Sequence, residues 1–239
     1  MAVVEEGPFG GTCLNRGCIP SKLYIHVADV METIQRAGEF GIKAKATGID
    51  WSRIIKRVTG IIDGDAESIE QGNKETPNIT VFKERGTFVA DKSVRVGNRV
   101  ITGKDVVIAA GTRPSVPPIP GLDKVGFITS DQALRLKKQP KSMIFIGGGY
   151  IACELAHFFG TLGTKVTILQ RGELLLGRED AEVAKKFTDV FSKRFDVRLN
   201  TTTVRVFKKG ALKAVEIERK GKKSVVTAEI IMVATGRTS

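Results

Sequence analysis

The sequence predicts an α/β fold built on dinucleotide-binding units. Three observations predict it. First, Ser142 to Gly147 reads as a short apolar strand that runs into Gly147-Gly148-Gly149-Tyr150-Ile151-Ala152 and continues as a helix to about Leu162. A G-x-G-x-x-A turn between a strand and a helix lets the backbone approach a pyrophosphate closely and points unpaired helix N–H groups at it. Second, short runs rich in Val and Ile alternate with stretches of helical periodicity along the chain. Third, 239 residues suffice for one large or two ordinary domains, and 41% apolar content is that of a globular protein.

Charge and cysteine usage narrow the class. The net charge of +12 raises nucleic-acid binding, but no helix-turn-helix, zinc-finger or RNA-binding signature is present and the basic residues are spread along the chain. An anionic cofactor or a solvated surface accounts for the charge better. No apolar run reaches the roughly 18–20 residues of a membrane span, and no signal peptide opens the chain. Three cysteines do not make a secreted disulfide scaffold. The expectation is a cytoplasmic protein with no nucleic-acid and no membrane partner.

In order, Ala2 to Gly7 reads as a strand ending in acid, with Glu5 at its end. In a dinucleotide fold, an acid at the end of the second strand binds ribose; alone, it is an exposed acid at a strand end. The stretch from Gly10 to Lys22 then holds Cys13 and Cys18. In a regular helix, residues five apart sit about 8–9 Å apart by Cα. A disulfide needs about 4.4–6.8 Å, so a bridge here requires a distorted turn. Asn15 and Gly17 tolerate one. Pro20 is predicted to open a regular helix at its first position. A thiolate near that helix start gains from free N–H groups, with Arg16 and Lys22 adding positive charge. Alone, the pair reads equally as a redox couple or as two unrelated buried thiols.

Apolar residues at Ile19, Leu23, Val27, Val30, Ile34 and Ala37 predict a helix with one buried face, ended by Gly38 and Gly41. A second amphipathic helix begins after Asp50, a good cap, with Trp51, Ile54, Ile55, Val58, Ile61 and Ile62 on one side, and breaks at 73–77. Short β runs follow at 79–82, 87–89, 94–96, 100–102 and 106–109, with Gly97-Asn98 as a hairpin signal. The last run, Val106 to Ala109, is expected as a buried strand entering the small-residue turn at Ala110-Gly111. Four prolines between Pro114 and Pro120 mark a boundary, giving units 1–114 and 115–236, with 237–239 beginning a return.

Beyond the glycine-rich turn, the strand Lys165 to Leu169 ends in Gln170-Arg171. An NAD site places an acid there, whereas an NADP site offers Arg. Gln170 removes the acid, and Arg171 with Arg178 suits a 2′-phosphate, so NADP(H) is expected; Glu173 keeps NAD(H) open. A helix from about Asp180 to Phe195 and strands near Val204, Val215 and Ile230 complete the pattern. On their own, Lys22 and Glu154 read as solvated helix charges, Cys153 as a small buried residue, and His26 and His157 as structural; no metal site is expected.

The whole segment from Gly10 to Lys22 resembles the active-site segment of the flavin-dependent pyridine nucleotide–disulfide oxidoreductases, among them dihydrolipoamide dehydrogenase, mycothione reductase and mercuric reductase. Gly147 to Ala156, Ala109 to Pro114 and Ala234 to Arg237 are similar to further segments of that family. The resemblance implies a nucleotide domain inserted in an FAD domain. It implies FAD held by Glu5, Gly11, Thr12, Lys22, Thr87, Ala110, Gly111 and Gly236, and NAD(P)(H) held by Gly147, Gly149, Tyr150, Ile151 and Arg171. It makes Cys18 the thiolate beside the flavin and Cys13 the outer thiol. It pairs Lys22 with Glu154 and gives Tyr150 the gate of the nicotinamide pocket. It also implies a small-molecule disulfide or lipoyl substrate and a homodimeric longer protein. The family's first glycine-rich turn and its C-terminal dimerisation domain are expected to be missing. Within the family, 48–51, 78–81 and 170–180 look closer to mycothione and mercuric reductases. The rival reading is a dinucleotide-binding module without catalysis.

Overall fold

The computed structural model describes residues 1–239. The chain opens with β1 (Ala2–Val4), which lies parallel to β2 (Thr80–Phe82) in a two-stranded sheet. Between them run α1 (Gly11–Arg16), α2 (Cys18–Arg36), a 3-10 turn at Ala37–Phe40, and α3 (Trp51–Glu75). Asp50 caps α3 by accepting from the Arg53 amide at 2.9 Å. An antiparallel meander follows: β3 (Gly86–Ala90), β4 (Ser93–Val96) and β5 (Arg99–Thr102). Gly97, at φ +55°, supplies the left-handed turn between β4 and β5.

After β6 (Arg113–Pro114) and two short helices, α4 (Leu122–Val125) and α5 (Ser130–Ala133), the chain builds a parallel sheet. Its parts are β7 (Ser142–Ile146), α6 (Tyr150–Thr161), β8 (Lys165–Leu169), α7 (Ala181–Phe191) and β9 (Asp196–Arg198). A three-stranded antiparallel sheet, β10 (Thr202–Lys209), β11 (Leu212–Arg219) and β12 (Lys222–Ala228), precedes β13 (Ile230–Val233) and β14 (Arg237–Thr238). The parallel order is β13-β7-β8-β9. β14 pairs with β6, Arg237 opposite Pro114, so the chain enters and leaves this part side by side.

β7 is an unbroken apolar run because both its faces are covered. On one side, Met143 and Phe145 join a cluster with Phe158 and Phe159 of α6. On the other, Ile144 and Ile146 pack with Val206, Val215 and Ile217 of the antiparallel sheet. The first cluster continues into the N-terminal helices. Tyr24 and Phe158 lie 4.6 Å apart by ring centroid, and Trp51 and Phe158 5.3 Å. The polar ends of both buried rings are satisfied: Tyr24 Oη donates to the Leu134 carbonyl at 2.7 Å and Trp51 Nε1 to that of Leu136 at 2.8 Å. α2 and α6 are thereby locked together.

Several expectations are corrected. The buried face of α2 is only partly the stripe from Ile19 to Ala37: Leu23 and Val27 pack against the core, but Ile19 is 40% and Val30 49% exposed, and Tyr24 and Ala28 are fully buried. α6 packs against the Tyr24 side, and one packed neighbour selects one face. Pro20 sits two residues inside the helix rather than at its first position, because Cys18 already begins α2. Val106 to Ala109 forms no strand; Val107 is 88% and Ile108 72% exposed. No strand pairs with this run on either side, and an unpaired extended segment gains neither ladder bonds nor burial. β9 and β12 were not expected, and α7 stops at Phe191 rather than Phe195.

Candidate functional site

The two cysteines flank a break between two helices. α1 ends at Arg16, Gly17 adopts φ −139° and ψ −117°, and α2 begins at Cys18. A Cβ on Gly17 would come within 2.9 Å of the Thr12 carbonyl oxygen, so the kink closes too tightly for a side chain. A six-residue helix does not stand alone, and α1 is held from both ends. Leu14 is buried, and the buried Asn15 amide donates to the carbonyls of Phe9 at 2.8 Å and Gly11 at 3.0 Å.

Cys13 and Cys18 are both exposed free thiols, and they lie near enough for Cys13 to act on the titration of Cys18. The Cys13 thiol first, then desolvation and the charge of Cys13, raise the Cys18 pKa above its ordinary value, against the opposing pull of the backbone and Lys22. Arg16 does not contribute. Its guanidinium turns away to Asp131 of α5, at 3.6 Å, which corrects the expectation that it charges the thiolate's surroundings.

One turn into α2, Lys22 donates to Glu154 of α6 at 2.5 Å. Further along the same seam, His157 meets Asp29 at 3.0 Å, and Arg194 meets Glu32 at 3.2 Å. The ligand-type atoms of Asp29, Glu32 and His157 gather within 4.8 Å of one another. Arg194 already supplies the cation of that cluster, so the geometry is that of an ion-pair seam joining two helices. His26 is exposed and belongs to no such group.

Gly111, at φ +70°, lies beside Thr12: a Cβ there would sit 3.8 Å from the Thr12 hydroxyl oxygen. Ala110 is exposed in the same turn. Arg237 donates to the Thr112 hydroxyl at 2.9 Å, and the Ser115 amide to the Gly236 carbonyl at 2.8 Å, so the 111–115 and 236–237 segments adjoin. Glu5 is turned onto its own loop, accepting from the Gly7 amide at 2.7 Å. Thr87 lies exposed on β3, next to Gly86, whose added Cβ would meet Val4 at 3.1 Å. It therefore sits by the β1 end, on a different element from the cysteines.

The second centre is the N-terminus of α6. Gly147 has φ +113°, and a Cβ on it would strike the Ala234 carbonyl oxygen at 2.4 Å. Gly149 is the N-cap; it has no side-chain cap and faces open space. The free N–H groups of the first turn and the positive helix end are the features that suit an anion. Tyr150 is 60% exposed at its mouth, and Ile151 is half-buried behind it. Gln170 folds back so that its amide donates to the Leu174 carbonyl at 3.0 Å and packs over Gly148. Arg171 and Arg178 carry no ion-pair partner. Cys153 is buried inside α6, and burial pushes its thiol up to about 12.

Sequence reasoning missed Asp131 as the partner of Arg16 and Asn15 as the fastener of α1. Asp131 is legible only as a charge near a capping box, because its partner lies 115 positions earlier in the chain.

Comparison with known proteins places this arrangement. The family model described as pyridine nucleotide-disulphide oxidoreductase matches residues 1–239. Mycothione reductase of Mycobacterium tuberculosis is 36% identical over 244 residues, covering 100% of this chain and 52% of its own. Mercuric reductase of Bacillus cereus is 33% identical over 244 residues, covering 99% of this chain and 38% of its own. Among solved structures, the HOCl-induced flavoprotein disulfide reductase RclA from Escherichia coli superposes with a TM-score of 0.83 at 30% identity, over 100% of this chain and 51% of that one. The chain thus spans about half the length, or less, of the relatives it matches. With both cysteines at a helix break and a glycine-rich helix N-terminus on a parallel sheet, the chain belongs to the pyridine nucleotide-disulphide oxidoreductase family.

Proposed function

We propose that this chain carries the redox half of a flavin-dependent NAD(P)H–disulfide oxidoreductase of the dihydrolipoamide dehydrogenase type, acting on a small-molecule disulfide or a lipoyl group. The observation that carries the reading is the nearness of the Cys13 and Cys18 thiols at the α1–α2 break, one turn from the Lys22–Glu154 pair. A mycothione-type or mercuric-type substrate is the alternative within the family, supported by the two relatives of those names.

The residues fit a nicotinamide dinucleotide. The open space at Gly149, the close backbone approach at Gly147 and the uncapped start of α6 suit a pyrophosphate, with Gly147, Gly149, Tyr150 and Ile151 against it. Gln170 occupies the position where an acid binds a ribose hydroxyl, and its amide is spent on Leu174. Arg171 and Arg178 then favour a 2′-phosphate, and hence NADPH. On the flavin side, Gly11, Thr12, Ala110 and Gly111 form one small-residue edge beside the cysteines, and Lys22 closes it. Glu5, Thr87 and Gly236 complete the proposed set.

When bound, the flavin supplies two-electron transfer between nicotinamide and disulfide. This chain's part is to hold the thiols. Cys13 raises the Cys18 thiol, and Lys22 favours its thiolate. Glu154 holds the Lys22 ammonium in place. Cys13, on the outer helix, is the thiol that exchanges with substrate. We assign residues 1–114 to the flavin unit, 115–236 to the nucleotide unit and 237–239 to the return. The three free thiols suit a reducing compartment, and we place the protein in the cytoplasm as half of a homodimer. No helix is long and apolar enough to cross a membrane.

The test is the visible spectrum of the purified chain supplied with FAD, before and after anaerobic NADPH or NADH. A flavin spectrum that develops a long-wavelength charge-transfer band, lost in Cys18→Ser, supports the reading. If FAD is retained and no such band forms with either nucleotide, the dithiol is not coupled to the flavin. If FAD does not bind but NADPH does, the dinucleotide-module reading holds; the turned-in Glu5 and the unpaired Val106–Ile108 run favour that second reading.

A further inference from the structure

We infer that Arg16 is a positioning residue for the Cys13–Cys18 couple, acting through Asp131 and not through its charge on the thiols. The inference rests on the proposal that the two cysteines form a reversible disulfide.

Arg16 is the last residue of α1, the short helix that carries Cys13. A disulfide needs Cα atoms within about 4.4–6.8 Å. Whether Cys13 meets that limit depends on where α1 lies against α2. Three tethers set its place: buried Leu14, the Asn15 amide, and the Arg16–Asp131 ion pair. The first two tie α1 to its own N-terminal loop and to the core. Leu14 sits in a core that both halves of the chain build, and the third tether is a charged link from α1 to the other half.

Asp131 is a firm anchor. Its side chain is 22% exposed, and it lies inside a capping box that runs from Thr129 to Gln132, the Thr129 amide donating to Gln132 at 2.8 Å. One turn on, Arg135 makes two hydrogen bonds to Asp63 of α3, at 2.7 and 3.2 Å. The two ion pairs face one polar cavity of about 460 Å³ with no hydrophobic residue in its wall. α1 and α3 are thereby each joined by charge to the segment 131–135.

Electrostatics argues the same way. Lys22 is the cation that acts on Cys18; Arg16 is not among the charges that do. Removing Arg16 should therefore act on the thiols only by letting Cys13 move relative to Cys18.

The exchange is balanced with glutathione: the protein dithiol plus oxidised glutathione gives the protein disulfide plus two reduced glutathiones, with two protons and two electrons passing to the glutathione sulfurs. The experiment measures this equilibrium on the full chain by thiol trapping across a series of glutathione ratios, together with the pH profile of Cys18 alkylation. Arg16→Gln is expected to shift the equilibrium toward the dithiol by about two- to fivefold, the range of a partly exposed ion pair. The alkylation profile should move to lower pH, the direction in which loosening Cys13 from Cys18 acts, and not to higher pH as loss of a direct positive charge would. Asp131→Asn should give the same shift from the other half of the chain, the double variant no more than either alone, and Arg16→Lys should restore most of it. The inference is overturned if Asp131→Asn leaves the equilibrium unchanged, or if Arg16→Gln moves the alkylation profile to higher pH. Failure of the wild-type chain to form the disulfide at any ratio would instead defeat the underlying reading of the cysteines.

Discussion

Lys22 Nζ lies 2.5 Å from Glu154 Oε1, across 132 positions of sequence. The pair joins the helix that starts at a redox-type cysteine to the helix that starts at a dinucleotide-type glycine turn. Its side chains are 61% and 27% exposed, so its energetic worth is small while its placement is specific.

Glu154→Gln is expected to cost less than about 1 kcal/mol of stability, since exposed ion pairs are screened and entropically opposed. Urea unfolding checks this. A loss several times larger would mean that the seam between α2 and α6 depends on this one pair rather than on Tyr24, Trp51 and Phe158.

The Cys18 thiol is raised by Cys13 first and lowered by Lys22. Cys13→Ala should therefore move the Cys18 alkylation profile to lower pH and speed reaction near neutrality. Lys22→Met should move it to higher pH and slow reaction. Iodoacetamide rates across pH 6–10, followed by mass spectrometry, read both shifts.

Cys153 predicts an alkaline liability. Its thiol rises from 9.0 to about 12 on burial. Below pH 9 both states hold the proton, and stability is unaffected. Above it the unfolded chain releases the proton first, so stability falls as pH rises from 9 toward 12, by about 1.4 kcal/mol for each unit. Cys153→Ala should flatten that fall between pH 9 and 10.5 in urea titrations, relative to the parent chain.

Tyr24→Phe removes a fully buried hydroxyl that donates to the Leu134 carbonyl. The carbonyl is left without this donor, so a loss of about 1–3 kcal/mol is expected. Thermal unfolding should show Tm lowered by roughly 2–4 °C for each kcal/mol.

The two turn glycines should separate structure from binding. Gly147→Ala drives a Cβ into the Ala234 carbonyl at a left-handed φ, and should lower Tm as well as nucleotide affinity. Gly149→Ala meets only open space, so Tm should hold while NADPH affinity falls about tenfold, roughly 1.4 kcal/mol. Fluorescence titration with NADPH beside a melting curve distinguishes the two.

What the sequence determined by itself is local. The strand–glycine–helix unit at 142–162, the Asp50 cap, the Gly97-Asn98 hairpin and the kink between Cys13 and Cys18 each depend on residues a few positions apart. Backbone conformation and periodicity act at that range, so they are legible in one dimension. The family resemblance added the Lys22–Glu154 pairing, which spacing does not contain. The tertiary structure alone decided which face of α2 is buried, because α6 covers Tyr24 and leaves Ile19 and Val30 in water. It decided that Val106 to Ile108 stays unpaired, because a strand exists only with a neighbour to bond to. It decided that Arg16 spends its charge on Asp131, 115 positions away, and that His157 joins Asp29 across the seam. A side chain's partner is set by which elements pack together, and packing is a property of the whole chain rather than of any stretch of it.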